Sequence, residues 1–264
     1  MAVYQVTYFS TAIARFTQFT MVVPNDTPVQ MKEMVDSYKR PMKVLMLLHG
    51  YNGCCTDWMY GSNVQDMAMK YNMAIIMPNG ENSFYLNGKG TGKAYETYVG
   101  EELIQYVRDT FHIALNKEDT YIGGVSMGGY GAIHTALNHS DVYGKAFGLS
   151  SAVIVPMLKD MTPDMDSPIA DYEYYVQVFG DLNKVAETHI NPLVQVRLLN
   201  EAGKDIPPLY LACGTEDFGY EMNTKFAEDL KQAGVDVEFH CGSGQHNWAF
   251  WNTWFEPAIK WLLK

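Results

Sequence analysis

The chain has 264 residues, 47% of them hydrophobic, and a formal net charge of -11. That length can bury a sizeable core and fits one large α/β domain over residues 1–264. The negative balance repels phosphate backbones and anionic headgroups, so neither nucleic acid nor membrane is an expected partner. No apolar run reaches the roughly 18 residues of a membrane span. The N-terminal residues alternate in polarity and lack the basic start and apolar core of a signal peptide, so the expected location is cytoplasmic. Cys54, Cys55, Cys213 and Cys241 have neither metal-ligand nor scaffold spacing; reduced thiols, no metal and no cofactor are expected.

In chain order, segments 2–9 and 16–23 alternate polar and apolar residues and end at Pro24-Asn25-Asp26, which predicts an antiparallel hairpin. Residues 44–48, 73–77, 121–125 and 208–212 are short continuous apolar runs, the pattern of parallel strands covered on both faces. Helical spacing occupies roughly 57–70, 95–111, 127–138, 219–233 and 247–263. Two further strands are expected at 145–149 and 235–240. The alternation predicts a mostly parallel sheet with helices on both faces, preceded by the hairpin. Residues 156–205, rich in Pro, Asp, Met and Tyr, read as a cap-like insertion with short helices near 171–179 and 191–200, over the sheet edge where ligands bind in such folds.

Gly124-Val125-Ser126-Met127-Gly128 lies between an apolar strand and a helical segment. That context is required of a Gly-x-Ser-x-Gly elbow, in which a sharp turn exposes a nucleophilic serine. No Gly-Lys-Ser/Thr follows, so a phosphate loop is excluded. The general base must come later in the chain, preceded by its acid. His189 falls in the insertion and His240 on the polar face of the last strand, both expected in solvent. His246 sits in the loop between the last strand and last helix and is the candidate base; its alternative role, capping that helix, falls more naturally to Asn247. Asp217 follows the penultimate strand and is chosen over Glu216 because the shorter side chain holds an imidazole more rigidly. Activity should fall as the catalytic imidazole protonates in acid.

Charge on the tetrahedral intermediate calls for two backbone N–H donors, assigned to Met127 and, in the glycine-rich turn His49-Gly50-Tyr51-Asn52-Gly53, to Tyr51. His49, at a buried strand end and before the serine, reads as a structural hydrogen-bonding residue. Trp58, Phe84, Tyr85 and Trp248 are candidates to wall an apolar substrate pocket. The vicinal pair Cys54-Cys55 reads as packing.

These residues resemble the esterase D group, which includes tributyrin esterases and S-formylglutathione hydrolases. The resemblance spans nearly the whole chain. It rests on 49–53, Pro78 through Tyr85, Tyr95-Glu96-Thr97-Tyr98 with Glu101-Glu102-Leu103, Gly124 through Ala132, Cys213-Gly214-Thr215-Glu216-Asp217 and Gly244-Gln245-His246-Asn247-Trp248. It implies the α/β-hydrolase fold, a Ser126-Asp217-His246 triad, a hole formed by the Tyr51 and Met127 amides, and hydrolysis of short acyl esters. The tributyrin branch is the nearer one: the formylglutathione branch carries Gly-His-Gly and Leu-Thr-Cys where this chain has Tyr130 and Tyr51-Asn52-Gly53. Gly219 is smaller than the residue usual in that branch. An acyltransferase or thioesterase would use the same acyl-serine, and a non-catalytic binding protein would keep the same fold. The Tyr- and Met-rich insertion would suit self-association as a dimer or tetramer.

Overall fold

The computed structural model describes residues 1–165 and 169–264; residues 166–168 of the expected insertion lie outside the described residues. Among the described residues eight strands form one sheet. They are β1 Ala2–Ser10, β2 Arg15–Val23, β3 Lys43–Leu48, β4 Met73–Pro78, β5 Thr120–Val125, β6 Lys145–Leu149, β7 Leu209–Gly214 and β8 Val237–Gly242. The spatial order is β1-β2-β4-β3-β5-β6-β7-β8. β1 and β2 pair antiparallel, β2 joins β4 antiparallel, and every pairing from β4 onward is parallel. This is the α/β-hydrolase fold that the family resemblance implies, with the hairpin and mostly parallel sheet that the strand pattern predicts.

The continuous apolar runs are explained by two cores, one on each face. Val44, Met46 and Leu48 of β3 face one core with Ile122, Leu209 and Leu211. Leu45 and Leu47 face the other with Tyr121, Val125, Tyr210 and Ala212. Successive residues of a strand point to opposite faces, so a strand covered on both sides must be apolar throughout. Helices Leu103–Phe111, Met127–Asn138 and Tyr220–Gln232 cover the first face, and Val64–Lys70 and Trp248–Leu262 the second.

Three elements differ from expectation. The helix expected over 57–70 breaks into Asp57–Gly61 and Val64–Lys70. The first ends where the Ser62 backbone turns extended, at φ -136 and ψ 174, with its N–H and its hydroxyl both donating to the Trp58 carbonyl, and a side chain at Gly61 would collide with the Trp248 ring. The stretch 95–111 is helical but carries a π turn at Tyr98–Glu102, beside Gly100, where a Cβ would meet the His139 ring at 2.4 Å. The last strand begins at Val237 and continues to Gly242, so His240 pairs with Ala212. It is not free in solvent as expected: its ring packs between Tyr210 at 4.8 Å and Trp254 at 5.4 Å, while His189 is exposed.

Between β6 and β7 the expected insertion contains helices Val155–Leu158, Tyr172–Phe179 and Pro192–Glu201. The second and third match the two predicted patches within a residue or two, each begun by a side-chain cap, Asp171 or Asn191, accepting a backbone N–H. None of the helices among the described residues is long and apolar enough to cross a membrane.

Candidate active site

The elbow follows from sterics. Ser126 has φ 54 and ψ -121, a strained conformation for a residue with a side chain. The turn from β5 into helix Met127–Asn138 is so close that a Cβ on Gly124 would lie 2.4 Å from the Gly128 carbonyl carbon. One on Gly128 would lie 2.4 Å from the Leu48 oxygen and 2.5 Å from the His49 oxygen. Both glycines are therefore required by contact with backbone, which cannot move aside. The serine backbone is pinned on two sides: its N–H donates to Leu149 O at 2.9 Å, and its carbonyl accepts from Tyr130 N and Ala152 N.

His246 Nε2 lies 2.9 Å from Ser126 Oγ, and His246 Nδ1 lies 2.9 Å from Asp217 Oδ2 and 3.1 Å from Oδ1. Three loops at the same sheet edge thus deliver a continuous serine–imidazole–carboxylate chain. Asp217 is buried, and its Oδ1 also accepts the Gly219 N–H at 2.8 Å. Burial alone would raise its pKa; hydrogen bonds from His246, the Gly219 amide and Ser150 outweigh that and hold it below the ordinary carboxylate value. Asn247 caps helix Trp248–Leu262 by accepting the Phe250 N–H, so His246 is not needed as the cap. The imidazole packs against Phe218 at 4.5 Å and edge-on against Trp251 at 5.2 Å.

Glu216 does different work from its neighbour. Its carboxylate accepts the Gly244 N–H, its own N–H donates to Gly244 O at 3.1 Å, and Ser243 Oγ approaches at 3.4 Å. It grips the backbone of the histidine loop while Asp217 grips the imidazole.

The turn after β3 runs beside the nucleophile: a Cβ on Gly50 would be 3.4 Å from Ser126 Cβ. Tyr51 and Met127 border the same cavity as Ser126. The Asn52 N–H is taken by Asn82 Oδ1 at 2.7 Å, and Asn82 Nδ2 returns a bond to Asn52 Oδ1 at 2.9 Å. Among the described residues the Tyr51 and Met127 N–H groups have no protein acceptor, so both remain available to a substrate oxygen. His49 is locked in the scaffold. Its Nε2 accepts the Gly80 N–H at 2.8 Å, which leaves the proton on Nδ1 to donate to Gly50 O at 2.7 Å. Burial keeps this imidazole neutral, lowering its pKa.

The cavity over Ser126 has a volume of about 80 Å3. Phe84 lines it, but Trp58, Tyr85 and Trp248 do not, contrary to expectation. Trp58 turns to the second face, donates Nε1–H to Leu48 O at 3.1 Å and packs on Phe255 and Trp248. Trp248 opens the helix that covers that face, so its nearness to His246 in sequence does not bring it to the serine. Tyr85 is fully buried, its ring filling the space that side chains on Gly80 and Gly131 would occupy and its hydroxyl donating to His49 O at 3.1 Å. The remaining walls come from residues that the sequence analysis does not single out: Ala152, Ile154, Ile169, Tyr175, Phe218 and Met222. Ser150 also lines the cavity; this buried residue supports Asp217 and accepts from Trp251 Nε1 at 3.1 Å. Its position just past β6, at the carboxyl edge of the sheet, is the only signal that could have marked it. Cys54 is exposed and Cys55 buried, both as free thiols. Among the described residues no cluster of side chains fits a metal ion.

The esterase family described as "Putative esterase" matches residues 25–262. An acetyl esterase of Caldicellulosiruptor saccharolyticus is 37% identical over 266 residues, spanning 100% of this chain and 99% of that protein. The substrate-bound fluorophosphonate-binding serine hydrolase F of Staphylococcus aureus superimposes with a TM-score of 0.84 at 29% identity, over 100% of this chain and 98% of that one. The S-formylglutathione hydrolase FrmB of the same organism superimposes with a TM-score of 0.82 at 29% identity, over 100% and 99%. With the family match running through nearly all of its length, the chain belongs to this esterase family and is a carboxylic ester hydrolase.

Proposed function

We propose that this chain hydrolyses short-chain acyl esters, of the acetyl to butyryl kind, through an acyl-enzyme on Ser126, in the manner of the tributyrin esterases. The single observation that carries the reading is the unbroken hydrogen-bonded chain from Ser126 Oγ through both nitrogens of His246 to Asp217. His246 Nε2 removes the hydroxyl proton as Oγ attacks the ester carbonyl. The oxyanion develops toward the Tyr51 and Met127 amides, each such donor being worth about 3 kcal/mol. The imidazolium returns its proton to the leaving alcohol, and the same nitrogen then activates the water that releases the acid. Asp217, held ionised, fixes the tautomer and stabilises the imidazolium. The small cavity supports short acyl groups, as does the similarity to an acetyl esterase. Acetylated carbohydrates and aryl esters are the natural substrates that the proposal extends to.

A second reading, thioester hydrolysis, is favoured by the S-formylglutathione hydrolase among the similar structures. The test is hydrolysis of 4-nitrophenyl acetate, butyrate and octanoate, and of S-formylglutathione, by the wild type and by Ser126→Ala. The proposal predicts preference for acetate or butyrate and a fall of several orders of magnitude in the variant. Faster turnover of the thioester would move the assignment to the second reading, and equal rates for variant and wild type would remove Ser126 from the chemistry.

A further inference from the structure

Beside the serine's cavity lies a larger one that the chemistry above does not use. It measures about 300 Å3 against about 80 Å3. Its floor is apolar, with Tyr130, Val153, Val155, Leu193 and Phe226 among its lining, contributed by the elbow helix, the start of the insertion, helix Pro192–Glu201 and helix Tyr220–Gln232. Its mouth carries exposed Met157, exposed Glu221 and the ion pair of Lys225 with Asp229. The lysine is committed to Asp229 and the mouth retains the negative charge of Glu221, so an anionic ligand is disfavoured. An uncharged alkyl or aryl group suits the floor.

The two cavities share a partition. Along the segment after β6, Ala152 and Ile154 face the serine's cavity while Val153 and Val155 face the larger one. The partition is completed by Met222, which among the described residues is the one side chain bordering both. Its terminal methyl lies 3.9 Å from where a Cβ on Gly219 would stand, and Gly219 itself lines the serine's cavity. A side chain at position 219 would therefore rest against the end of the methionine, and glycine places none there. An unbranched thioether with three rotatable bonds repositions at lower cost than a branched side chain.

We propose that Met222 is the specificity-determining residue of this esterase: it closes the serine's cavity at short chains and, displaced, admits the apolar chain of a longer ester into the second cavity. The inference rests on the reading of Ser126 as nucleophile of a short-ester hydrolase. Either the acyl or the alcohol part of an ester can present the same apolar chain, and the test separates them.

The experiment measures kcat/KM for wild type and Met222→Ala on two series: 4-nitrophenyl acetate, butyrate and octanoate, and ethyl, butyl and octyl acetate. The expected result is that the ratio of the longest to the shortest substrate in one series rises by about tenfold or more in the variant. A rise in the first series assigns the second cavity to the acyl chain; a rise in the second assigns it to the alcohol. Adding Leu193→Trp to Met222→Ala refills that cavity and removes the gain. Unchanged ratios in both series, or a gain that survives Leu193→Trp, overturn the proposal. Met222→Val makes a smaller opening and gives the same comparison should the alanine variant fail to fold. A wild type that already cleaves the octanoate as fast as the acetate contradicts the short-ester reading instead, whatever Met222 does.

Discussion

The elbow and the cavity above it are adjacent, yet they are built by different means. At the elbow the constraint is local and made of backbone: a positive φ at Ser126 and two glycines that cannot carry a Cβ against neighbouring carbonyls. The cavity is made of side chains from the turn after β3, the stretch before Tyr85, the segment after β6, the insertion and the acid loop. Backbone sterics leave almost no alternative residue, whereas an apolar wall accepts any side chain of suitable size. The chemistry should therefore fail abruptly under substitution and the cavity should be tunable.

The largest expected effect is on the rigid side. Asp217→Asn should lower kcat on 4-nitrophenyl acetate by about 10^4-fold, because an amide favours the wrong imidazole tautomer. A fall of less than tenfold would mean that Glu216, one residue away, substitutes for it and that the site is less rigid than its geometry implies. Next comes Trp58→Ala, which should cost about 3–5 kcal/mol in urea unfolding through loss of a buried ring. Its acetate-to-butyrate preference should stay at the wild-type value, because Trp58 lies outside the cavity. A changed preference would blur the boundary between scaffold and pocket. Phe84→Ala is the sharper counterpart, since this ring does line the cavity, and it should raise KM more than it lowers kcat.

The smallest effect concerns pH. Asp217 has a folded pKa below its ordinary value, so it contributes stability that is fully present above the ordinary carboxylate range and is lost as pH falls through the depressed folded value. Melting temperature followed from neutral pH into acid should decline less steeply in Asp217→Asn than in the wild type. Parallel curves would show that this carboxylate does not carry the acid sensitivity.

The same contrast explains what can be read in the sequence. The parallel strands, the hairpin and the elbow are legible because continuous apolar runs, period-two alternation and a Gly-x-Ser-x-Gly between strand and helix each have one physical explanation. The loop positions of His246 and Asp217 follow from chain order. The walls do not: Phe84 and Tyr85 are neighbours in sequence, but one faces the cavity and the other fills the gap between Gly80 and Gly131. Trp248 stands two residues from His246, yet it packs against Trp58 on the second face of the sheet and does not line the cavity. Ser150, Asn82 and Glu216 act through hydrogen bonds spanning 28 to 101 positions, which no local pattern records. Where a helix breaks at Ser62, the hydroxyl bond to Trp58 is local, but the Trp248 ring that crowds Gly61 comes from the far end of the chain, again beyond any local pattern.

The central claim is that Ser126 carries the acyl group. The direct measurement is the intact mass of the protein quenched in acid within milliseconds of mixing with 4-nitrophenyl acetate, followed by peptide mapping. The account predicts a mass increase of one acetyl group, located on Ser126 and absent from Ser126→Ala. Rapid release of nitrophenol with no acetylated protein at any mixing time, or an adduct on another residue, would contradict it.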